Sequence, residues 1–91
     1  MADAAYTVGT SSMQIAFPNP GRRSIVIQNL HTANVLYVRK REPAVLSLGI
    51  KLVPGGSLEI GTTNYYAGGL WAISNAAGTT VLVDEVSGYA Y

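Results

Sequence analysis

The sequence contains no cysteine, a single histidine and few charges: charged residues make up 12% of its 91 positions, against 48% hydrophobic ones. Without cysteine neither a disulfide framework nor a thiolate metal site can form, so stability has to come from packing or from partners. No apolar run approaches the ~20 residues of a membrane-spanning helix, and the opening MADAAYTVGTSS lacks the basic and apolar regions of a secretory signal. Synthesis in a cytoplasm, with no membrane partner, is the expectation. A formal net charge of +1 provides no global basic field to attract nucleic acid.

Catalytic groups are as scarce. His31 falls in a loop with no triad partner in view, and Asp84 and Glu85 are adjacent on a strand, where successive side chains point to opposite faces and cannot pair as two catalytic carboxylates. Asp3 and Glu42 stand alone in a terminus and a loop. The glycine-rich pieces PGGS and GTTNYYAGG lack the strand, glycine spacing, lysine and following helix of a phosphate-binding loop. No enzyme, cofactor or metal is expected.

What is present is strand-forming sequence. Short segments rich in Val, Ile, Leu and Tyr, separated by Gly, Pro and Asn, predict strands at 13–17, 24–29, 35–39, 49–53, 57–60, 70–74 and 80–86. About seven such strands on one domain imply an all-β fold, a compact antiparallel β-sandwich or jelly-roll-like barrel. Short arms are expected at about 1–7 and 87–91. A chain of this size buries only roughly 60 to 65% of its unfolded surface, so high apolar content with little charge points to an interaction surface outside the core.

Local complementarity suggests three hairpins. Around PGG, Leu52 would face Leu58, Ile50 face Ile60 and Lys51 face Glu59. Across LHTAN, Ile25 would face Val38 and Ile27 face Leu36. About Ala76 and Ala77, the third hairpin would have Leu70, Ala72, Val81 and Val83 on one side and Trp71, Ile73 and Leu82 on the other. The second of these gathers Arg22, Arg23, Arg39, Lys40 and Arg41, five of the six positive charges, at one open end. Like charges so placed repel, and something anionic should sit there. With Tyr37, the cluster is a weak candidate for stacking single-stranded nucleic acid; Tyr65, Tyr66 and Trp71 could form a sugar platform.

The series RRSIVIQNL, NVLYV, GIKLVPGGSLEI, LWAIS, GTTVLVDEV, over about residues 22–86, resembles small β-sandwich structural proteins of tailed bacteriophages, of the head-decoration, cement and head-fibre base type. The resemblance implies a non-enzymatic virion protein that binds the outside of the head and bridges capsid subunits. It implies the major capsid protein or another virion protein as partner, and a homo-oligomer with a trimer favoured. The alternative is a tail or fibre-associated module that binds a host glycan or another virion protein. The residues expected at the protein interface are Arg22, Arg23, Arg39, Lys40, Arg41, Tyr65, Tyr66, Trp71, Tyr89 and Tyr91.

Overall fold

The Val-, Ile- and Tyr-rich segments form eight strands in the computed structural model, which describes residues 2–46, 48–61 and 66–87. These are β1 (Ala2–Val8), β2 (Met13–Ala16), β3 (Arg22–Asn29), β4 (Leu36–Arg39), β5 (Ile50–Leu52), β6 (Ser57–Ile60), β7 (Leu70–Ser74) and β8 (Thr79–Ser87). They build two antiparallel sheets of four strands, in the orders β1-β8-β3-β6 and β2-β7-β4-β5. Four strands on four in this order is a jelly roll, a sandwich in which the chain passes repeatedly between sheets. The strand beyond the expected seven is β1: residues expected to lie as an arm pair with β8 from Ala2↔Glu85 to Val8↔Thr79. Most of the expected C-terminal arm, residues 88–91, lies outside the described residues.

None of the three expected hairpins forms. β3 and β4, β5 and β6, and β7 and β8 each divide between the two sheets, so every one of those connections is an arch across the sandwich. Ile25 and Ile27 pair with Ile60 and Leu58 in one sheet, while Leu36 and Val38 pair with Leu52 and Ile50 in the other. The face of 24–29 and 35–39 expected in the core is inward, whereas Ile50, expected with Leu52 on one aliphatic face, is 37% exposed. Ile25, Ile27, Leu36, Val38, Leu70, Ala72, Val81 and Val83 are all buried, and they meet across the gap between the sheets instead of side by side within one. Each fully buried aliphatic side chain contributes about 1.5–3 kcal/mol.

The PGG turn explains one arch. Gly56 N–H donates to Val53 O over 2.7 Å, and Gly55 has φ +80° after Pro54. Proline followed by a left-handed glycine is the pattern of a type II turn, which splays flanking strands where a primed turn would close a hairpin. Asn29 locks the same end. Its buried Nδ2 donates to Asn34 O and Leu52 O, its Oδ1 accepts from His31 N–H, and its backbone bonds to Gly55 and Gly56. His31 in turn accepts the Ala33 and Asn34 N–H groups at Nδ1, so the lone histidine shapes a loop.

Candidate interaction surface

At the opposite end of the sandwich the basic residues divide into one that is internal and several that face outward. Strand parity would turn Arg22 outward with Ser24, Val26 and Gln28. A register shift between Arg22 and Ser24 reverses it, as a bulge does when it inserts one extra residue. Arg22 is therefore 2% exposed. Its Nε donates to Glu85 Oε2 at 2.6 Å, Nη1 to Tyr66 O and Gly68 O, and Nη2 to Phe17 O. Asn19 Nδ2 donates to the same carboxylate oxygen.

Arg22, expected at a protein interface, is thus a clamp inside the chain. It ties the β2–β3 loop and the approach to β7 onto β8. The anion expected at this end is present, and for Arg22 it is Glu85 of the same chain. A planar guanidinium suits this role because its fork of donors satisfies a carboxylate and several carbonyls at once.

The other cations stay outside. Arg23, Lys40 and Arg41 are exposed and Arg39 is partly buried. Arg39 Nη1 donates to Pro43 O in the loop it opens. Lys40 Nζ lies 4.8 Å from the centre of the Tyr66 ring, within cation–π range. The Tyr66 hydroxyl is 2.9 Å from both Lys40 O and Gly69 O, able to donate to one at a time. Tyr66 also packs against the core. It is therefore fixed inside its own chain, and the sugar platform expected of Tyr65, Tyr66 and Trp71 is not assembled from the described residues. Tyr65, Tyr89 and Tyr91 lie outside the described residues. Trp71 sits on β7 between Gln14 and Arg39 in register, half-buried on the outward side of its sheet.

The surface that sequence reasoning missed is apolar. The connection between β4 and β5, residues 40–49, carries exposed Val45, Leu46 and Leu48, and Ile50 and Val53 continue the exposure beyond it. This loop reaches far: Ala44 N–H donates to Ser12 Oγ at 2.8 Å. Ser12 precedes β2, which lies beyond β7 from β4, so the loop spans β7. Ile73 on β7, whose parity directs it away from the core, is only 8% exposed. Gly49 brings the loop back against β4, since it has φ +90° and a Cβ there would stand 2.5 Å from Val38 O. A cleft of about 330 Å³ results, with Val38 and Ile50 as aliphatic walls and Arg39, Lys40 and Arg41 beside them. The run AVLSLGIKLV, with seven aliphatic residues in ten and one charge, was the available signal.

A second pocket, about 290 Å³, opens between the sheets at the β1–β2 side, lined by Tyr6, Ile15, Phe17 and Val83, with Glu85 at one end. Its only carboxylate is already held by Arg22 and Asn19. No group of three or more His, Asp or Glu that could hold a metal occurs among the described residues. No family model matches the chain, and neither a curated protein nor a solved structure matches it.

Proposed function

We propose that this chain is a non-enzymatic structural protein of a tailed-phage virion, a decoration or cement protein that docks on the outer surface of the head. The observation that carries the reading is the β4–β5 loop. Along the chain it carries exposed Lys40 and Arg41 and then exposed Val45, Leu46 and Leu48, on a domain whose own core is filled by other residues. An apolar patch rimmed by charge is the usual character of a protein-binding surface. The motif series quoted above gives this surface its context, and a jelly roll is a scaffold used by capsid and lectin domains alike. A glycan-binding role draws less support, because Tyr66 is engaged within its own chain.

Apolar contact would hold such a complex, while the cations govern orientation and encounter rate. The test is co-sedimentation with heads of the encoding phage assembled without this protein. Saturable binding is expected, with occupancy at fixed concentration falling about tenfold for Leu46→Asp with Leu48→Asp, and a slower, more salt-sensitive association for Arg39→Glu with Arg41→Glu. Heads that leave the wild-type protein in the supernatant would overturn the reading.

A further inference from the structure

The four edge strands of the sandwich are not alike. An edge invites another strand unless it is short, bulged, or marked by proline or charge, lysine above all. β2 has four residues and a register shift, β5 has three with Lys51 at its centre, and β6 has four with Glu59 among them. β1 is different. It runs for seven residues, ADAAYTV, holds one continuous register with β8, and has no lysine, arginine or proline; its single charge, Asp3, stands near one end. Among the described residues β1 pairs with β8 alone. Its other side therefore presents a row of backbone donors and acceptors.

We propose that two copies of this chain join β1 to β1, antiparallel, about a two-fold axis perpendicular to the sheet at Ala5, so that two four-stranded sheets continue into one of eight. Identical strands related by such an axis pair position by position about a fixed centre. With the centre at Ala5, Ala2 pairs with Val8 of the second copy, Asp3 with Thr7, Ala4 with Tyr6, and Ala5 with Ala5. All seven residues are then paired. Moving the centre to Ala4 or Tyr6 leaves two residues of each strand without a partner. A register displaced by one sets core-facing positions against outward ones.

Facing agrees with that register. Val8 is buried and Tyr6 packs against the core, whereas Ala5 and Thr7 are exposed. Pairing about Ala5 keeps even positions with even ones, so the core side of one sheet continues into the core side of the other. Tyr6 stands opposite an alanine, and the two copies of Tyr6 become diagonal neighbours across the axis, within reach of one another. On the outward side the axis passes between two alanines, and position 3 lies four residues from its symmetry mate. The same flank carries the apolar pocket lined by Tyr6, Ile15, Phe17 and Val83, with Phe17 58% exposed, so the seam brings apolar surface of each copy toward the other. This association rests on the β1 edge and its register and holds whether or not the chain binds a phage head.

Light scattering across micromolar concentrations tests it, with circular dichroism to verify the fold of each variant. The wild type is expected at the mass of two chains. Ala5→Lys and Ala5→Glu each set like charges together at the axis and should weaken the dimer about fivefold, while an equimolar mixture of the two should recover it. Because the chain has no cysteine, cross-linking reads the register directly. Ala5→Cys should be captured as a covalent dimer by mild oxidation or a short bismaleimide, since position 5 meets itself. Thr7→Cys should stay uncoupled, its mate lying about 13 Å further along the opposing strand. A wild-type monomer throughout, a trimer, a dimer unmoved by both charged variants, or equal cross-linking at positions 5 and 7 would overturn the proposal. None of these outcomes bears on head binding, which co-sedimentation measures separately.

Discussion

Arg22 shows how one residue can reverse the meaning of a charge cluster. A guanidinium with its charge removed from water is tolerable only when a carboxylate and several carbonyls meet it, and Glu85, Tyr66, Gly68 and Phe17 do so. Losing one partner of such a pair strands the other. Arg22→Met should cost about 3 kcal/mol, lowering the thermal midpoint by on the order of 15 °C for a domain of this size. Combining it with Glu85→Met should recover part of that loss, because no charge is then left stranded. Arg41→Glu, exposed on the loop, should change stability by no more than about 0.5 kcal/mol. Thermal or urea unfolding of the variants checks the set, and equal losses for Arg22→Met and Arg41→Glu would show that the clamp contributes little.

The strands were legible to within a residue or two because alternating aliphatics bounded by Gly, Pro and Asn leave few other readings. Their partners were not. Leu52 and Leu58 point to one face whether they sit side by side in a hairpin or meet across a sandwich, since the period of two is the same for both. The hint lay in Pro54-Gly55, a type II pair that favours the arch over the closed turn. β1 was misjudged for a different reason: ADAAYTV has small residues and little alternation, and its place in the fold comes from the exposed edge of β8. Deleting residues 1–8 should remove buried Val8 and bare that edge. The shortened chain is expected to lose its cooperative thermal transition or to aggregate, and a transition within a few degrees of the full chain would mean that β1 is dispensable.

The whole molecule is held by contacts between residues distant in sequence, from Ala2 against Glu85 to Arg22 against Ser87. Among the described residues only β4 and β5 are consecutive strands that also pair with one another. Loop closure must therefore be met before most contacts form, which places folding in the millisecond-to-second range typical of such β-sandwiches. Trp71, the only tryptophan and half-buried on β7, reports that step. Stopped-flow refolding complete within microseconds would contradict the topology as the rate-setting feature.

By itself the sequence determined the all-β class and much of the inward-facing alternation, because composition and a two-residue period act locally. Which strands pair, whether Arg22 faces in or out, and which apolar residues stay exposed were decided by the tertiary structure. Those outcomes depend on a bulge, on arches between sheets and on contacts separated by most of the chain, none of which changes the local pattern of residues.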